Sequence, residues 1–129
     1  MQSSHPYIKA AYDLIMESES KTHTYLDDRV EEYIVLLFAS NFQRTNIGEQ
    51  AIAIKMLEAS QRKGTQQFKP IADECLLINS YPLKRRRWPS ETYYIEMGTV
   101  AYGLANITVM EEHFEPASRV LHTVFRQIG

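Results

Sequence analysis

The run Lys84-Arg85-Arg86-Arg87-Trp88 carries the most conspicuous chemistry in this chain. Four adjacent positive charges repel one another, so the stretch stays solvated unless an anion or an acidic surface meets it. Guanidinium groups form bidentate hydrogen bonds to carboxylate or phosphate, and Trp88 can stack or anchor beside them. Arg85, Arg86, Arg87 and Trp88 are therefore candidate contacts for nucleic acid, phospholipid headgroups or an acidic protein. The chain's own acids, such as Glu91, Glu111 and Glu112, are the alternative partners. A net charge of −2 and the lack of a second basic cluster argue against nucleic acid.

Asp73 is the second candidate. It stands two places after Ile71 and three before Leu76, which puts it near the edge of an apolar helix face. A half-buried carboxylate can act as a base. More commonly it pairs with an arginine or accepts N–H bonds, and nothing nearby in sequence orients Asp73 for catalysis. Cys75 has apolar neighbours, which raise a thiol's pKa and disfavour a nucleophilic role. Tyr93, Tyr94 and Tyr102 form a third set. Tyr94 and Tyr102 are eight apart and share a helix face, with Tyr93 offset. Such rings suit amphipathic boundaries: they line a ligand pocket or an interface, or fill the rim of a bundle.

Several chemistries lack their residues. There is no glycine-rich run before Lys and Ser/Thr, no Gly-x-Gly-x-x-Gly and no Gly-x-Ser-x-Gly. No glutamate has a histidine three places later, and no two histidines stand four apart, so a helical di-metal site lacks its ligands. With one cysteine there is no intrachain disulfide and no thiolate zinc cage. No catalytic, metal or cofactor residue is expected.

The elements that must position the candidates read as helices. The 129 residues suit one domain, 1–129, and 44% apolar with 23% charged residues is ordinary globular usage. Apolar spacing predicts helices over about 4–19, 25–44, 46–63, 68–79 and 91–108, with a last one starting near Pro116. Thr24 with Asp27, and Asn46 with Glu49, look like helix starts; Ser90 looks like a cap, and Gly64 like a left-handed terminator. The helix over 25–44 has apolar stripes Leu26, Val30, Tyr33, Leu37 and Ile34, Phe38, Phe42, the pattern of a central helix. Gly98, Ala101 and Ala105 let a neighbour approach the fifth helix. No segment alternates like a strand. The expected fold is all-α, a single-domain bundle of about five to six helices.

The longest apolar run, Tyr33 to Ala39, is seven residues, against about 20 for a membrane span. The first residues lack the basic start and apolar stretch of a secretory signal, so the cytoplasm is the expected compartment.

Ile71-Ala72-Asp73, Leu76-Leu77, Pro82, Arg85-Arg86-Arg87, Tyr93-Tyr94-Ile95, Met97-Gly98 and Ala101-Tyr102-Gly103-Leu104-Ala105 together form a pattern. Between about Phe68 and Phe125 it resembles a family of small bacterial all-helical proteins; Val30 to Leu37 is similar too. The chain departs at Ala72, where the family pattern has glycine. The resemblance brings no activity with it. It implies a bacterial, non-secreted origin and singles out Asp73, Tyr93, Tyr94, Gly98 and Tyr102 as fold or site positions. A hydrogen bond from a tyrosine to Asp73, joining the fourth and fifth helices, would account for that set.

These readings favour a non-enzymatic interaction module, an adaptor or assembly subunit with a protein partner or a second copy of itself. Arg, Tyr and Trp dominate binding hot spots. The rival is a small-molecule binder or enzyme with a pocket between the fourth and fifth helices, using Asp73, Tyr93 and Tyr94 with Arg86 at its mouth. A weaker alternative is nucleic-acid binding through Lys84–Arg87.

Overall fold

A computed structural model describes residues 6–42, 50–81 and 91–128. The basic run with Arg85, Arg86, Arg87 and Trp88 lies outside them, as do Asn46, Glu49 and Ser90. Seven helices stand among the described residues: α1 (Pro6–Thr22), α2 (Asp28–Asn41), α3 (Ile52–Ser60), α4 (Phe68–Ser80), α5 (Glu91–Leu104), α6 (Thr108–Glu112) and α7 (Phe114–Ile128). No strand occurs among them, and the domain is all-α.

The helix ends follow local chemistry. Pro6, Pro70 and Pro116 all sit within first turns, where a missing N–H costs nothing. α1 closes on His23, whose φ of 53° puts it in the left-handed region. The Thr24 N–H then donates to the Glu19 carbonyl at 3.0 Å and the His23 N–H to that of Ser20 at 3.3 Å, which satisfies two end carbonyls. Asn106, with φ 61°, closes α5 in the same way, through Ile107 N–H to Tyr102 at 2.9 Å and Asn106 N–H to Gly103 at 3.0 Å. The apolar pattern therefore runs past the true end of α5, and residues 108–112 form a short separate helix. Asparagine reaches this conformation more readily than most residues. Asp27, rather than Thr24, caps α2: its carboxylate accepts the Arg29 N–H at 2.8 Å. Gly64 does take a positive φ, 94°, in the turn beyond α3.

The central helix is α4, not α2. Every residue from Ile71 to Ile78 is buried. α5 packs most closely on α4, with α7 and α3 on its other sides, while α1 packs against α2 and α7. Gly98 makes the α4–α5 approach possible. A Cβ there would run into the Phe114 ring and would lie 2.9 Å from the Cys75 Cβ. α7 contributes Ala117, Val120, Leu121, Val124 and Phe125 to the core, and Tyr81 stacks on Phe125 at 4.5 Å. α2 buries Val30, Ile34, Val35, Leu37 and Phe38, but Leu36 on its outer side remains 49% exposed. None of the described helices is long and apolar enough to cross a membrane.

Candidate functional site

Asp73 occupies the middle of the buried helix and is 8% exposed. Its Oδ1 accepts hydrogen bonds from two tyrosine hydroxyls, Tyr33 of α2 at 2.5 Å and Tyr102 of α5 at 2.7 Å. Its Oδ2 accepts from the Lys69 ammonium, one turn earlier on α4, at 2.9 Å. The Tyr33 and Tyr102 rings meet edge to face, 5.8 Å between centroids and 83° between planes. The same ammonium stands 5.2 Å from the centre of the Tyr33 ring. Burial first, and then the negative charge of Asp73, push both phenols far above the ordinary tyrosine range. They are neutral donors at any physiological pH. One carboxylate thus clips three helices together.

The expected tyrosine bond to Asp73 between the fourth and fifth helices is present, made by Tyr102. The cluster's third member, Tyr33, went unmarked as a candidate because it lies 40 residues away and sits in an ordinary apolar stripe. Tyr93 and Tyr94 are half-buried and pack their rings against each other at 5.3 Å and 82°. The opening beside Asp73 faces α2: a cleft of about 280 Å³ lined by Tyr33, Leu36, Leu37, Ser40, Asn41, Lys69 and Asp73.

A second, larger cleft lies on the other flank of Leu36. It has a volume of about 400 Å³ between α1 and α2, and is lined by Ile8, Tyr12, Asp28, Glu31, Glu32, Val35 and Leu36. Tyr12 is 43% exposed there. The Glu31 carboxylate beside it raises the phenol's pKa, largely through its charge. Glu31 also abuts Glu19, a buried carboxyl whose oxygen accepts the Leu26 N–H at 2.9 Å. Burial, followed by the Glu31 carboxyl, pushes Glu19 up to about 7.

Two further reactive groups, Cys75 and Glu74, are enclosed. Cys75 is fully buried, and burial pushes its thiol up to about 12. Glu74 next to it accepts from Lys55 of α3 at 2.5 Å, a pair that pins α3 to α4. On the far side, His122 Nδ1 lies 3.0 Å from the Ser80 carbonyl, and Asn79 donates to Ser118 at 2.9 Å. Among the described residues, no group of three or more His, Cys, Asp or Glu side chains is placed to hold a metal ion.

The arrangement therefore has two parts: an internally satisfied polar clip around Asp73, and an open face of α2 with a cleft on each side of Leu36. No family model, no curated protein and no solved structure matches the chain with statistical significance.

Proposed function

We propose that this protein is a non-enzymatic interaction module whose binding face is the outer side of α2, centred on Leu36. The observation that carries this reading is the exposure of Leu36, 49%, between two clefts that it helps to line. Interfaces concentrate their energy in a few apolar and aromatic anchors that meet partner side chains in adjacent hollows. Tyr12 has that character, Leu36 adds exposed apolar surface between the two clefts, and Glu32, Asp28 and Ser40 form a polar rim.

The state of Asp73 supports the same reading. A general base needs an oxygen free to take a proton from a substrate. Here three donors from its own chain already engage the two oxygens. The two phenols that point at it are held protonated.

Sedimentation velocity and affinity capture test the reading with Leu36→Glu against Leu104→Glu, a control at another exposed leucine on α5. Self-association or a captured partner should be lost with Leu36→Glu and kept with Leu104→Glu. A strictly monomeric protein that captures nothing, or a complex indifferent to Leu36, would overturn it.

A further inference from the structure

We infer that the groove between α1 and α2 receives a basic amphipathic helix from a partner protein, an inference that rests on the interaction reading above. Asp28, Glu32 and Leu36 are spaced four residues apart and form one ridge along α2. Ile8 and Tyr12, also four apart, form the facing ridge of α1. Val35 is buried at the floor between them. Eight residues of helix rise about 12 Å, room for two turns of a third helix laid along the groove. Helices that dock in this way present apolar residues at i, i+3 or i+4 and i+7. Ile8, Val35, Leu36 and the Tyr12 ring supply the surface for them.

The charge of the partner follows from the acids that line the groove. Several carboxylates elsewhere in the fold find cations, while Glu58, Glu96, Glu111, Glu112 and Glu115 have no ion pair among the described residues but do not share a groove with one another. Asp13 pairs with Lys9, Glu17 with Lys21, Asp27 with Arg29, Glu74 with Lys55 and Asp73 with Lys69. Asp28, Glu31 and Glu32 have no such ion pair among the described residues, although all three line one groove. Like charges a turn apart repel, as Asp28 and Glu32 do along the ridge. A neutral or acidic helix would desolvate these carboxylates without compensation. One with Lys or Arg flanking its apolar stripe would relieve the repulsion, and the same field would speed its arrival.

The probe is a fluorescein-labelled synthetic helix with leucines at i, i+4 and i+7 flanked by lysine and arginine, beside a twin carrying glutamate in place of every base. Anisotropy with the full chain should show binding of the basic peptide only, weakened about tenfold between about 50 and about 300 mM salt. The double substitution Asp28→Asn/Glu32→Gln should weaken it about fivefold or more. The pair Asp13→Asn/Glu17→Gln, on acids already matched by lysines, should leave it unchanged. Amide shifts in NMR spectra should cluster at Ile8, Tyr12, Glu31, Val35 and Leu36. Equal binding of the acidic twin, indifference to Asp28→Asn/Glu32→Gln, or shifts centred elsewhere would overturn the inference. So would salt-sensitive self-association abolished by replacing Lys84–Arg87, which would give the groove to a second copy. If no peptide binds while assembly still depends on Leu36, the partner's chemistry is wrong and the interaction reading survives; if neither dependence is seen, both fall.

Discussion

The Tyr102 hydroxyl donates to Asp73 Oδ1 at 2.7 Å, a bond that joins two helices at a position closed to solvent. Tyr33 reaches the same oxygen from α2 at 2.5 Å. Removing either hydroxyl takes a donor from a buried carboxylate, whereas removing the carboxylate strands a buried phenol. Tyr102→Phe should therefore cost about 1–3 kcal/mol in urea unfolding, and Asp73→Ala more. Lys69→Ala, which cuts a half-exposed ion pair, should cost less than about 1 kcal/mol. Equal losses for all three would refute the claim that the tyrosines carry the clip.

Gly98 gives the most position-specific expectation. In an open helix, Gly→Ala stabilises by about 1 kcal/mol. Here the new methyl meets the Phe114 ring and the Cys75 Cβ, both buried in the core. Gly98→Ala should destabilise by about 1–3 kcal/mol instead. A Tm at or above that of the parent would show the α4–α5 contact to be looser than this.

Glu19 makes stability depend on pH in an unusual direction for a carboxyl. Its folded pKa is raised from the ordinary 4.5 to about 7, so between those values the folded chain holds a proton that the unfolded chain releases. Its contribution is intact below pH 4.5 and is lost as pH rises through about 7. Glu19→Gln, which keeps an acceptor for the Leu26 N–H, should flatten that slope. Urea midpoints measured across the window for both proteins decide it; parallel curves would assign the slope to another group.

Cys75 should behave as an interior methylene. Its burial and raised thiol pKa predict that iodoacetamide labels it only as fast as the protein unfolds, with a rate that rises with urea. Rapid labelling of the folded protein would mean that the α4 core opens readily.

Leu36→Glu should leave stability within about 0.5 kcal/mol, because the side chain already reaches water. Any association of the protein should nonetheless fail. A variant that unfolds would instead make Leu36 part of the core.

What the sequence determined by itself is local and periodic. The all-α class, most helix positions, the burial of Cys75 and the crowded place of Gly98 follow from apolar spacing and small residues within single segments. The bond between Asp73 and a tyrosine of the fifth helix is suggested only by the resemblance; the residues by themselves point to an arginine or N–H partner for Asp73, since spacing within one segment does not say which donor a distant helix brings. Tertiary structure alone decided which helix stands at the centre. α2 carries the richer pair of apolar stripes, yet α4 is enclosed, because α5, α7 and α3 each pack against a different side of it. It also recruited Tyr33, since a hydrogen bond across 40 residues depends on how two helices cross. Leu36 belongs to neither stripe of α2, and its exposure beside unmatched acids arises only when α1 lies down along the other edge. Helical period says which residues share a face; which faces find a neighbour is settled by packing the whole chain.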